Sequence, residues 1–154
     1  MKNLTKITMA TAAAGAFAVA GTAMAQPKPE QYVKHRQSAF ALMGWYFGPM
    51  GAVAKGERPF NKEEATKASA LVATMAKLPF DSFPVGTEAI GNTRALPAVW
   101  SNNAKFKEIA AKLATETDSL AKLAAAGDEA GFKKQFGVVG GTCKACHDDF
   151  QKKL

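Results

Sequence analysis

Residues 132–150 read FKKQFGVVGGTCKACHDDF, and two patterns overlap in this stretch. Phe132, Phe136, Val139, Cys143, Cys146 and Phe150 are spaced 4, 3, 4, 3 and 4, the period of a helix that buries one seam. Within that seam, Cys143-Lys144-Ala145-Cys146-His147 is C-x-x-C-H, the attachment pattern of a c-type haem. Two thiols one helical turn apart can add across the two vinyl groups of one haem edge, and the adjacent imidazole can reach the iron as proximal ligand. Because the cysteines share their seam with three phenylalanines, a haem held by them belongs inside a helical bundle. One covalent haem c per chain is expected, with Cys143 and Cys146 as attachment points and His147 as axial iron ligand. A thioredoxin-like site would need a βαβ setting and a zinc site a fourth ligand, and the sequence offers neither.

The other end of the chain bears on the compartment. Lys2 and Lys6 precede an uncharged stretch from Ile7 to Ala25, and Ala23-Met24-Ala25 is the small-x-small pattern cut by signal peptidase. Residues 1–25 are therefore expected to be a removed signal peptide, leaving 26–154 as one exported, periplasmic domain. The stretch is built from Ala, Thr and Gly and no stop-transfer flank follows, which argues against a retained anchor; no later segment could span a bilayer. Loss of two of the 20 Lys+Arg leaves 18 against 13 Asp+Glu, so the charge falls from +7 to +5. A chain of 154 residues, 47% hydrophobic, fits a single core and excludes a disordered chain, and two cysteines exclude a disulfide-dense scaffold.

The exported part reads as four helices with no strand-like alternation. The first begins near Pro29 and presents Arg36, Phe40, Met43, Phe47 and Met50 inward, with a kink or interruption expected at Gly48-Pro49. The second begins at Asn61, with Glu64 as capping-box partner, and turns Ala65, Ala68, Leu71, Val72, Met75 and Leu78 inward before Pro79 stops it. A long loop follows to Trp100, with Pro79, Pro84, Pro97, Gly86 and Gly91. Ser101 is expected to cap the third helix, whose inner face is Phe106, Ile109, Leu113, Thr117, Leu120 and Ala124. Gly127 ends it and Asp128 caps the fourth, where Gly137, Gly140 and Gly141 would admit the macrocycle or a neighbouring helix.

A sixth iron ligand could come from His35, Met43, Met50, Met75 or a lysine. His35 lies about 100° around the helix from the Arg36 seam, so a surface histidine is the default. Methionine on an inward face is ordinarily core filling.

These residues together resemble cytochrome c′, a class II c-type cytochrome. The resemblance rests on Arg36-Gln37 early in the first helix, Gly86-Thr87-Glu88 in the long loop, Pro97 and Trp100 before the third helix, and CKACHDDF near the end. It implies an all-α, antiparallel up-down-up-down four-helix bundle with one covalently bound haem. It also implies a five-coordinate, high-spin iron with His147 on one face and Phe40 as the shield over the other. Arg36, Gln37 and Glu88 are implied as haem-pocket residues, where a guanidinium suits a propionate. Low-spin relatives carry methionine at the place of Phe40. The family commonly has a basic residue four after the proximal histidine, and here that place is Gln151. Members tend to be homodimers through their first two helices.

The function expected is that of a haem protein that binds a small diatomic gas, nitric oxide or carbon monoxide, and also exchanges electrons with a partner protein. The alternative is a six-coordinate, low-spin electron-transfer cytochrome with Met43 or another methionine as distal ligand. Besides the haem motif there is no carboxylate pair or Ser/His constellation, so no enzyme is expected. The spread of lysines reads as a solvated bundle face, and the lack of a basic arm argues against nucleic acid.

Overall fold

The computed structural model describes residues 26–153. The signal-peptide reading of residues 1–25 lies outside the described residues.

Each helix begins and ends for a local reason. Pro29 sits at the first turn of α1 (Pro29–Ala54), where its fixed φ suits a helix and its missing N–H costs nothing. Asn61 starts α2 (Lys62–Met75) by accepting the Glu64 amide at 3.0 Å. Glu64 does not complete the expected capping box, because its carboxylate is taken by Arg58 at 3.1 Å. The chain then makes a 3-10 turn at Phe80–Ser82 and a short helix, α3 (Ala98–Ser101), before α4 (Asn103–Ala126). Gly127, at φ 77°, closes α4 in the left-handed conformation. Asp128 opens α5 (Glu129–Phe150) by accepting the Gly131 amide at 2.9 Å.

Three boundaries differ from expectation. α1 runs unbroken through Gly48-Pro49. Pro49 deprives the Trp45 carbonyl of its helical partner, but Trp45, Gly48 and Pro49 all lie on the exposed side, where water can replace the lost donor. α2 ends at Met75, short of Pro79, as tighter bonds from Lys77 to Thr74 and Leu78 to Met75 take over. Leu78, expected inward, is consequently exposed. Ser101 is the last residue of α3 and not a cap, because Pro97 nucleates its own turn and Asn102 (φ −119°, ψ 47°) makes the break before α4.

The four long helices form a closed bundle: α1 lies against α2 and α5, and α4 against the same two. Their order is up-down-up-down. The turn after α2 meets α1 near its start through Arg36 and Ser82, Phe80 of that turn meets Phe106 at the start of α4, and Phe106 meets Phe150 at the end of α5. The main core holds Met43, Met50, Val72, Leu120, Phe132 and Val139, and a smaller cluster forms around Val99, Phe106 and Phe150. Among the described residues no helix is long and apolar enough to cross a membrane.

Candidate haem site

The bundle is hollow at the end where α1 begins and α5 finishes. A cavity of about 820 Å³ opens there. On the α1 wall stand Arg36, Gln37, Phe40 and Met43, one helical turn apart in the pairs that the seam predicts. On the α5 wall stand Cys143, Cys146 and His147.

Phe40 is half-buried and held by other rings. It meets Phe80 edge-on at 5.8 Å, Phe80 meets Phe106 at 5.6 Å, and Phe106 meets Phe150 at 5.3 Å. Two helices and the long loop thus fix one ring from α1 through a chain of aromatic contacts.

Arg36 is 2% exposed, and its guanidinium donates four hydrogen bonds to the long loop. Its Nη1 donates to the Ser82 carbonyl at 3.0 Å and to Thr87 Oγ1 at 2.9 Å, and its Nη2 to the Thr87 carbonyl at 3.0 Å and Thr93 Oγ1 at 2.8 Å. The guanidinium lies 4.4 Å over the Phe83 ring. Burial pushes its pKa down, opposed by Glu88, and an arginine remains a cation under such a shift. Its first task is thus to bind the long loop to α1.

Gln37 is exposed, lines the cavity and donates to Asn92 Oδ1 at 3.2 Å. Glu88 is not on the cavity wall: both its carboxylate oxygens accept the Gly86 amide, at 2.8 and 3.1 Å. This backward reach to the Gly86 amide holds the carboxylate off the wall, and within Gly86-Thr87-Glu88 it is the buried Thr87 that serves the pocket, as an Arg36 acceptor. Of the candidate sixth ligands, Met43 on α1 borders the cavity, and among the lysines so does Lys144, which follows Cys143 on α5 and pairs with Asp148, whereas Met50, Met75 and His35 do not. His35 is exposed, with Nδ1 2.7 Å from Ser82 Oγ.

Burial pushes the Cys143 thiol up, and burial together with Cys143 and Asp149 pushes Cys146 up to about 11. His147 is held below the ordinary histidine value by burial first and then by Arg94, against the pull of Asp148. The direction of the His147 shift favours the neutral imidazole, the form in which nitrogen ligates a metal. Gly140 borders the cavity with open space where a side chain would begin; Gly137 and Gly141 are exposed and no neighbouring helix approaches them, contrary to expectation.

A sequence model of the family described as Cytochrome C′ matches residues 31–151. A cytochrome c′ of Rubrivivax gelatinosus is 44% identical over 126 residues, 82% of this chain and 98% of that one. The chain belongs to the cytochrome c′ family. In solved structures, the crystal structure of cytochrome c′ from Rubrivivax gelatinosus matches with a TM-score of 0.78 at 43% identity, covering 81% of this chain and 98% of the other. The nitric oxide complex of a variant cytochrome c′ from Alcaligenes xylosoxidans matches with a TM-score of 0.78 at 37% identity, covering 84% and 100%.

Cytochromes c′ bind haem c covalently, and the cavity suits that group. Its volume is within the roughly 300–1,000 Å³ of cofactor sites, its walls are mainly apolar, and both thiols and the imidazole stand on one of them. Cys143 and Cys146 would hold the haem and His147 would ligate its iron. Sequence reading missed Phe80, Phe83, Thr93 and Arg94, all on the cavity wall. They lie in the long loop, where no periodicity marks an inward residue; only the density of aromatic and β-branched residues between its prolines hinted at burial.

Proposed function

We propose that this cytochrome c′ family member is a periplasmic haem protein with a five-coordinate, high-spin iron that binds nitric oxide and carbon monoxide and also exchanges electrons. The observation that carries this reading is Phe40, a ring that borders the cavity from α1 while Cys143, Cys146 and His147 border it from α5. The haem would supply an iron able to bind a diatomic molecule and to change oxidation state. The protein's own residues do the rest. His147 would fix the iron from α5, the two cysteines would fix the ring, and Phe40 cannot coordinate and would exclude large or weakly bound ligands. Gas binding also draws support from the relative solved as a nitric oxide complex. The export reading of residues 1–25 supports the periplasmic location. Leu42 and Trp45, the latter 75% exposed, make an outward apolar patch on α1 that supports a homodimer through α1 and α2.

The test is Phe40→Ala. Displacing a packed ring costs on the order of 1–3 kcal/mol, so removing it should raise carbon monoxide affinity about tenfold or more, measured by optical titration of the ferrous protein. Unchanged affinity would remove Phe40 from the site. The six-coordinate alternative has one observation in its favour, the presence of Met43 on the cavity wall at 9% exposure. Met43 also belongs to the main core, which is the ordinary place of a packing methionine.

A further inference from the structure

The tail after α5 does not trail into solvent. The Leu96 amide donates to the Phe150 carbonyl at 2.9 Å, the Lys152 amide donates to the Arg94 carbonyl at 2.8 Å, and Ala95 and Gln151 form an isolated antiparallel bridge between them. The Arg94 side chain closes the same link from the other side: Nη2 and Nε donate to the Lys152 carbonyl at 2.7 and 3.2 Å. The Gln151 amide in turn donates to the His147 carbonyl at 3.2 Å, so the tethered residues continue directly from the turn that bears the imidazole. On its far side the 93–96 segment is fixed to α1, because Thr93 Oγ1 accepts from the buried Arg36.

Charge adds to this picture. Arg94 borders the cavity together with His147, Asp148 and Gln151. Lys144, the other cation on that wall, is paired with Asp148, whereas Arg94 makes no salt bridge among the described residues. The residue four after His147 is the neutral Gln151, so the unpaired cation beside His147 comes from the long loop and not from α5, while Arg36, which also makes no salt bridge among the described residues, stands on the α1 wall.

We propose that Arg94 is a positioning residue for His147: a staple that holds the last turn of α5 and keeps a fixed positive charge at the ligand end of the cavity, favouring the reduced iron. One-electron reduction of ferric to ferrous iron removes one unit of positive charge from the site, so a neighbouring cation stabilises the ferrous form. The charge argument rests on His147 being the iron ligand, as proposed above; the staple does not.

The experiment uses the haem-loaded protein and the variants Arg94→Gln and Arg94→Lys, with two readouts. Hydrogen exchange at the Lys152 and Leu96 amides reads the staple. Both should be protected in the parent protein, and both should exchange about tenfold faster in Arg94→Gln, since bonds from a charged donor are lost. The midpoint potential from a potentiometric titration reads the charge. It should shift down in Arg94→Gln and stay near the parent value in Arg94→Lys, which keeps the cation without the fork. Free exchange of these amides in the unsubstituted protein would overturn the staple without any variant. An unchanged potential in Arg94→Gln, or an equal fall in both variants, would overturn the charge. Failure of histidine ligation itself would appear separately, in the optical spectrum of the parent protein.

Discussion

α1 and α5 face each other along the bundle, yet their two ends behave in opposite ways. Toward the end of α1, Phe47 and Phe136 stack at 4.3 Å with planes 10° apart, and Phe132 at the start of α5 receives Phe60 at 5.4 Å. Toward the other end the same two seams draw apart around about 820 Å³. Glycines record the difference. A Cβ on Gly51 would meet the Phe136 ring at 3.5 Å, whereas one on Gly44 or Gly140, both on the cavity wall, would meet nothing within 4 Å. One helical period therefore serves two purposes: it fills the core at one end and lines a cofactor site at the other. What separates them is whether the facing inward residue is another ring or a pair of thiols and a glycine.

This contrast can be broken from the hollow end first. Replacing Cys143 and Cys146 together by Ala should abolish covalent haem attachment, with all pigment extractable by acid acetone. Retained covalent haem would show that the motif is not its anchor. At the filled end, Phe132→Ala should cost about 3–5 kcal/mol in denaturant unfolding of the holoprotein, because Phe132 is 0% exposed, while the haem spectrum stays the same. A changed spectrum would mean that the two ends are not separable. Smallest in effect is Arg36→Met. Removing the guanidinium strands two buried carbonyls and two threonine hydroxyls, so a loss of about 2–3 kcal/mol is expected, with faster amide exchange in the 82–93 loop. A loss confined to haem binding, with the loop still protected, would return Arg36 to a purely cofactor-facing role.

How much of this was legible in the sequence follows the same division. The seams of α4 and α5 were readable because a helix repeats every 3.6 residues: Phe106, Leu113, Thr117, Leu120 and Ala124 are all buried, as are Phe132, Val139 and Phe150. The cysteines and His147 were readable because their chemistry needs adjacent positions. Arg36 was readable as an inward residue from its place in the α1 seam, but its partners were not, because Ser82, Thr87 and Thr93 are 46 to 57 residues away in a loop without period. Glu88 is drawn aside for a local reason, since its carboxylate takes the Gly86 amide two residues back, and its reach to the pocket is through its charge on Arg36. The Gly48-Pro49 break was overestimated because proline was read as a breaker wherever it stands, although the α1 seam leaves Gly48 and Pro49 on the outer face, where water can partner the freed Trp45 carbonyl.

The central claim is that the hollow end holds an iron with His147 on one face and only the Phe40 ring over the other. The most direct test is the optical absorption spectrum of the purified protein in its ferric and ferrous forms. A high-spin spectrum in both states, with no methionine-to-iron charge-transfer band, is the predicted result; a low-spin spectrum carrying that band would contradict it and assign the second face to Met43.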